Sequence, residues 1–181
     1  KPSAQAQLQK LSAPMRPQNA EQQQNYLNFY GNLIKDSDAY LVQILDTLEE
    51  QGLLENTLII YTSDHGEMGM THGGMIQKNF NIYEETLRVP LVYSNPLLFP
   101  AEVQSDALVT HVDFAPTMAS LFGSPVVNPD WQGVDYSALV LDPAAPDVQD
   151  YQVFTYDDWQ AGQAQGPYVT GANHIIAVRD D

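Results

Sequence analysis

A short run of branched apolar residues ends in two side chains that can bind a metal ion. Residues 58–62, Leu-Ile-Ile-Tyr-Thr, are typical of a central parallel strand that is buried on both faces. Asp64 and His65 follow its end, and a carboxylate beside an imidazole can share one divalent cation. Ca²⁺ or Mg²⁺ takes about six or more donors, so the other ligands must come from elsewhere. The alternative is that Asp64 caps a following helix and His65 packs beside it.

Two further reactive side chains lie in the glycine- and methionine-rich segment 66–82 that follows this pair. His72 can donate to a substrate oxygen or protonate a leaving group. The ammonium group of Lys78 is a point charge suited to an anionic tetrahedral group. Either residue alone is more typical of a loop histidine bonded to backbone or a solvated lysine. Their position in a glycine-rich loop beside a metal-type pair favours a role in catalysis.

The elements that must position these residues follow from the apolar pattern. Residues 21–51 carry apolar side chains at spacings of three and four, which predicts a long helix that could break near residues 36–38. Gly52 is a helix-termination signal. Residues 89–94 predict a second strand. Helix, turn and buried strand together indicate an α/β sheet, whose ligands bind beyond the C-terminal ends of the strands.

The second half of the chain predicts fewer regular elements. We expect a helix over residues 112–121, entered through Asp113 and closed by Gly123, and then loops over residues 124–149. Two strands of a small sheet are predicted at residues 151–156 and 168–178.

The remaining charged and histidine residues predict structural roles. One of Glu84 and Glu85 is expected to pair with Arg88 and so hold the loop against the second strand. Asp113 is more typical of a helix cap than of a metal ligand, and His111 and His174 have no partner cluster in the sequence.

Composition excludes some classes of function. Seven Lys and Arg residues against 23 Asp and Glu residues give a net charge of −16, so the chain lacks the basic patch of a nucleic-acid binder. No apolar run approaches the roughly 20 residues of a membrane-spanning helix. Cysteine is absent, which leaves no disulfide, thiolate cluster or cysteine-derived nucleophile within these residues.

These motifs, taken in order, resemble sulfatases of the alkaline phosphatase superfamily. Residues 57–96 contain Ser-Asp-His-Gly, a later His-Gly, a lysine, Tyr-Glu-Glu and an Arg-Val-Pro-Leu strand. The helix before them, the Val-Asp-Phe-Ala-Pro-Thr run at residues 112–117 and Gln-Gly at residues 132–133 also match. The resemblance implies part of an alkaline-phosphatase-like α/β/α sandwich with a mainly parallel sheet, followed by the start of a small C-terminal antiparallel-sheet subdomain.

The resemblance also implies roles for individual residues. Asp64 and His65 would bind one Ca²⁺ or Mg²⁺ ion, Lys78 would contact the sulfate oxygens and the bridging ester oxygen, and His72 would bind substrate or donate a proton. The nucleophile of the family is a formylglycine, made from Cys or Ser in a Cys/Ser-x-Pro/Ala-x-Arg motif, and an acidic pair supplies the other metal ligands. Ser12 begins a segment that fits this pattern, but without a strand or an acidic pair before it we interpret it as linker.

We therefore expect the C-terminal portion of a sulfatase, inert by itself because the nucleophile lies in the N-terminal half. The expected organisation is a linker at residues 1–22, part of the catalytic domain at residues 23–148 and the truncated start of the C-terminal subdomain at residues 149–181. The substrate would be a small-molecule or carbohydrate sulfate ester. The sequence leaves localisation and oligomeric state open, and a periplasmic or extracellular site is favoured because many sulfatases are exported.

Two other functions stay open at this point. The first is a phosphonate or phosphate ester hydrolase, or a phosphoethanolamine transferase, of the same superfamily, because these share the Asp-His strand end. The loop with Lys78 and Tyr-Glu-Glu at residues 83–85 favours a sulfatase over a transferase. The second is a non-catalytic binding protein that retains the fold, against which the intact set of four site residues speaks.

Overall fold

The long helix predicted by the apolar spacing forms as one continuous element. In a computed structural model that describes residues 6, 9–10, 13–78, 80–124, 128–157 and 174–180, helix α1 spans Ala20–Glu50. The side chain of Asn19 accepts a hydrogen bond from the backbone N–H of Gln22 at 2.9 Å and so caps its N-terminus. Gly52 has a φ of 66°, as a residue that ends a helix often does. No break occurs near residues 36–38.

Strands β1 (Ile59–Thr62) and β2 (Leu91–Ser94) form an antiparallel pair. The side chain of Asn95, buried after β2, donates to the carbonyls of Glu55 and Thr57, both at 3.0 Å, and so joins the two strand ends. The expectation that β1 is buried on both faces is wrong for this chain, because two of its residues are half-buried and two are exposed. A two-stranded ribbon cannot cover its own faces. Antiparallel pairs are common within sheets that are otherwise mainly parallel.

The segment between β1 and β2 contains a small core of its own. Met68, Met75 and Phe80 are buried together, and helix α2 (Glu84–Leu87) follows them. The backbone N–H of Gly66 donates to the carbonyl of Thr86 at 2.8 Å, which brings the two ends of the segment together. Met68 and Met75, which the sequence marked only as part of a loop, are therefore apolar residues on which the loop packs.

The chain divides into two compact units, the first formed by residues 1–96 and 156–175 and the second by residues 97–155 and 176–181. In the second unit, a 3-10 turn at His111–Asp113 leads into helix α3 (Phe114–Leu121), which confirms the predicted helix. Helix α4 (Ser137–Leu141) lies in the segment predicted to be loops. The domain boundaries predicted at residues 22 and 148 stay predictions.

A small two-stranded antiparallel sheet at the C-terminus confirms the expected start of a further sheet. Its strands are β3 (Tyr151–Asp157) and β4 (His174–Asp180). Of the second predicted strand, the part at residues 168–173 lies outside the described residues. Across the part of the chain that is described, none of the helices combines the length and the apolar character that crossing a membrane requires.

Candidate active site

Asp64 lies at the end of β1 with its carboxylate facing solvent. Its side chain is 81% exposed, and Oδ1 accepts the backbone N–H of His65 at 3.0 Å. The residues that directly follow, through Met68, are irregular rather than helical. The helix-cap alternative therefore does not apply, and most of the lone pairs of this carboxylate are available to a ligand.

The ring of His65 is oriented by the backbone beside it. Nδ1 lies 2.9 Å from the carbonyl oxygen of Gly66. Because a carbonyl only accepts, this contact places a proton on Nδ1, so the neutral form of the ring has its lone pair on Nε2. Nε2 lies 3.2 Å from Oδ2 of Asp64. The carboxylate of Asp64 and Nε2 of His65 thus face the same region, where a positive charge would stabilise both.

Lys78 supplies a positive charge at that place. Its Nζ contacts Nε2 of His65, so the structure brings Lys78 together with the Asp64–His65 pair. Slight burial raises the pKa of Asp64. Electrostatic attraction to His65, hydrogen bonds from backbone amides and the charge of Lys78 lower it more, so this pKa is below its usual range.

His72 is held at another part of the same loop. Its Nε2 lies 3.1 Å from both carboxylate oxygens of Glu85, and its ring stacks on Tyr83 with centroids 3.8 Å apart. The backbone amide of Glu85 and the His72 ring hold the pKa of Glu85 below its usual range, against desolvation, which raises it. The sequence predicted that Arg88 would pair with Glu84 or Glu85, whereas Glu85 pairs with His72.

Gly66 is required at its position by a close backbone approach. A Cβ atom there would lie 2.0 Å from the carbonyl oxygen of Glu85. The glycine of the Asp-His-Gly motif therefore lets the strand end pass directly against the segment that carries Glu85.

Residues near the N-terminus also contact the loop. Nη1 of Arg16 donates to the carbonyl of Gly73 at 2.6 Å, and Nε2 of Gln9 donates to the carbonyl of His72 at 3.0 Å. Ser12, which the sequence placed in a linker, lies outside the described residues.

An open cleft of about 540 Å³ is lined by side chains from residues 13–27 and from residues 69–74. Asp64, His65 and Lys78 do not line it, so we place the site at the strand end instead.

The Asp64–His65 pair fits a divalent cation as a partial ligand set. The hard carboxylate oxygen and the imidazole lone pair suit such an ion, and the Gly66 carbonyl provides the outer hydrogen bond that orients a ligating histidine. Over the residues that the structure describes, no group of three or more histidine, cysteine, aspartate or glutamate side chains is placed to hold a metal. Further ligands are needed to complete the site.

Two acidic residues organise this loop, and sequence reasoning missed Glu67 and gave Glu85 the wrong partner. Glu67 follows the Asp-His-Gly motif directly and accepts hydrogen bonds from both ends of the loop. Glu85 orients His72. The only sequence signal for either was proximity to the motif, because their contacts depend on how the loop folds back.

Comparison with known proteins gives consistent results. The sulfatase family model matches residues 1–124. The chain is 37% identical to arylsulfatase K of Bos taurus over 102 residues, 56% of this chain and 18% of that protein. It is 31% identical to an N-acetylglucosamine-6-O-sulfatase of Bacteroides thetaiotaomicron over 153 residues, 84% of this chain and 25% of that protein.

Solved structures agree with the sequence comparisons. One, in complex with its substrate D-glucosamine-2-N,6-O-disulfate, superposes with a TM-score of 0.66 at 30% identity, covering 79% of this chain and 27% of that one. A phosphonate monoester hydrolase from Silicibacter pomeroyi superposes with a TM-score of 0.64 at 22% identity, covering 79% and 28%, and this likeness concerns the fold alone.

The fold is thus the alkaline-phosphatase-like α/β fold that the sequence predicted. Because the family model covers more than half of the chain, the chain belongs to the sulfatase family. It spans between about a fifth and a quarter of the length of the curated relatives it matches.

Proposed function

We propose that the full-length protein hydrolyses a sulfate ester of a carbohydrate, and that this chain supplies part of its active site. The observation that carries the proposal is the convergence of Asp64, His65 and Lys78 at the end of β1. The carbohydrate class is supported by the N-acetylglucosamine-6-O-sulfatase relative and by the neighbour in complex with a sulfated glucosamine.

Asp64 and His65 would hold one Ca²⁺ or Mg²⁺ ion together with ligands from outside this chain. The bound cation would offset negative charge on the sulfate oxygens. The carbonyl of Gly66 keeps the Nε2 lone pair of His65 directed toward that position. A formylglycine outside this chain would supply the nucleophile, so we expect these 181 residues alone to be inactive.

Lys78 would bind the sulfate group and the bridging ester oxygen. As negative charge develops on that oxygen in the transition state, the nearby ammonium stabilises it. The same ammonium contacts His65, so it lies at the end of the site where the metal would bind.

His72 would act on the leaving alcohol as a hydrogen-bond or proton donor. Its contact with Glu85 at 3.1 Å and its stacking on Tyr83 fix the orientation of the ring. Both contacts come from the segment around α2, which also holds Gly66. The histidine and the metal pair are thus tied to the same short stretch of backbone.

Turnover by the full-length protein tests this proposal. We would compare N-acetylglucosamine 6-sulfate with the matched 6-phosphate and with an aryl phosphonate monoester, with and without a chelator. We expect metal-dependent preference for the sulfate and a loss of about 10²–10³-fold in kcat/KM for Lys78→Ala. Lys35→Ala, at an exposed position of α1, is the matched control and should retain activity.

The second candidate is a phosphonate ester hydrolase with the same site, favoured only by the fold of the Silicibacter pomeroyi enzyme. Preference for the phosphonate would move the function to this candidate. No turnover of any of the three esters would contradict both and favour a binding protein.

A further inference from the structure

One oxygen of Glu67 joins three parts of the first unit. Oε1 accepts the backbone N–H of Gln77 at 2.6 Å, the backbone N–H of Gly69 at 3.3 Å and the hydroxyl of Tyr26 at 2.7 Å. Gly69 lies near the start of the loop, and Gln77 lies eight residues later, directly before Lys78. The carboxylate therefore closes the loop across its base and attaches it to helix α1.

Gln77 has an unusual backbone conformation. Its φ is 64°, in the left-handed region that residues with a side chain rarely adopt and that costs them on the order of 1 kcal/mol or more. Two hydrogen bonds compensate, one from its N–H to Glu67 and one from the N–H of Met68 to its carbonyl at 3.1 Å. This strained residue directly precedes Lys78, so its conformation sets the direction in which Lys78 leaves the backbone.

Tyr26 fixes the carboxylate from the side of α1. Burial and the Glu67 carboxylate raise the pKa of Tyr26, so the hydroxyl stays protonated and keeps donating. Because Tyr26 belongs to a helix of 31 residues, the loop is attached to the longest helix among the residues that the structure describes.

From these contacts we infer that Glu67 is a positioning residue, which sets the place of Lys78 by holding Gln77 in its left-handed conformation. Although Glu67 is an acid close to Asp64 and His65, Oε1 already accepts three hydrogen bonds, which distinguishes it from the exposed Asp64. The inference rests on the proposed function only where Lys78 is taken to act on the substrate.

The test uses the full-length protein and three variants of this contact. Glu67→Ala removes the acceptor, and Glu67→Gln keeps an acceptor oxygen. The double variant Glu67→Ala, Gln77→Gly also lacks the acceptor, but a glycine at position 77 adopts positive φ without strain. We expect kcat on the sulfate ester to fall about 10²-fold in Glu67→Ala. Glu67→Gln should retain most of the activity. The double variant should recover at least about a third of the decrease in log kcat that Glu67→Ala causes. Glu49→Gln, which removes an exposed carboxylate from α1, is the control for charge.

Hydrogen exchange of the segment 66–78, read by mass spectrometry, gives a measurement that does not depend on turnover. We expect faster exchange in Glu67→Ala and near-normal exchange in Glu67→Gln. If exchange accelerates but kcat is unchanged, or if Gln77→Gly fails to restore activity, Glu67 does not position Lys78. If the wild-type protein hydrolyses no sulfate ester, the proposed function fails, whereas unchanged exchange in Glu67→Ala would overturn the inference by itself.

Discussion

Two aspartates in this chain have opposite surroundings. Asp64 is 81% exposed on its side chain, and its partners are its neighbours Ser63 and His65 and the charge of Lys78. Asp113 is 1% exposed, and its carboxylate accepts from the N–H of Thr110 at 2.7 Å, the N–H of Val134 at 2.8 Å and the side chain of Gln149 at 3.0 Å.

This difference separates a carboxylate that is free to bind a cation from one that joins several segments of the chain. A buried carboxylate whose oxygens are all satisfied by hydrogen-bond donors has little capacity left for a metal. An exposed carboxylate next to an imidazole lone pair retains that capacity. The side chain of Asp113 does not cap α3 itself. It is the third residue of a capping box whose N-cap is Thr110, at the start of the 3-10 turn that precedes α3. Its carboxylate also joins three chain segments.

The largest expected effect concerns stability at Asp113. Asp113→Ala leaves several buried donors without an acceptor, so we expect it to reduce the free energy of unfolding by about 3 kcal/mol. Asp64→Ala should change it by less than about 0.5 kcal/mol, because the side chain is exposed. Thermal unfolding of the full-length protein in the presence of a chelator measures both. Equal losses in the two variants would contradict the distinction.

The next effect concerns the orientation of His72. Glu85→Gln replaces a charged acceptor with a neutral one, so the ring of His72 is held less firmly. We expect kcat/KM to fall about tenfold, equivalent to about 1.4 kcal/mol, without loss of bound metal. The metal content and the kinetics would be measured on the same preparation. Loss of metal in this variant would show that Glu85 belongs to the metal site instead.

The smallest effect concerns Asp135, a second carboxylate of the second unit. Burial raises its pKa, but the Ser120 hydroxyl and the N–H and side chain of Ser137 lower it more, so the pKa is below its usual range. A lowered pKa in the folded state gives a stabilisation that is present above the ordinary aspartate pKa and is lost as the pH falls through the folded value.

Because Asp135 is largely exposed, we expect roughly a few tenths of a kcal/mol. Thermal unfolding of wild type and Asp135→Asn across acidic pH would show the difference between the two narrowing at low pH. A difference that does not depend on pH would contradict the assignment.

Local patterns in the sequence were sufficient for much of the fold. Apolar side chains at spacings of three and four predicted α1, and short runs of branched apolar residues predicted β1 and β2. Helix α4 was missed, since five residues are too few to establish a helical period. The exposure of β1 was also missed. Its unbroken apolar run is typical of a strand covered on both faces, and the pair of β1 and β2 does not cover both faces.

The site was predictable where chemistry and chain position coincide. Asp64 and His65 are adjacent at a strand end, and Lys78 was placed in the same loop, so their proximity followed from the sequence. The hydrogen-bond partners within the loop could not be predicted from the sequence, because they depend on residues with positive φ: Met70, His72, Gln77 and Phe80. Residue preferences do not predict that conformation, and it determines that Glu67 and Glu85 face the loop.

Metal content tests the central claim most directly. The full-length wild-type protein, Asp64→Ala, His65→Ala and Asp113→Asn would be equilibrated with Ca²⁺ or Mg²⁺, desalted and analysed by mass spectrometry of the elements. We predict about one ion per chain in the wild type and in Asp113→Asn, and a loss of most of it in the two variants at the end of β1. Unchanged metal in Asp64→Ala and His65→Ala would contradict the assignment of this pair as metal ligands.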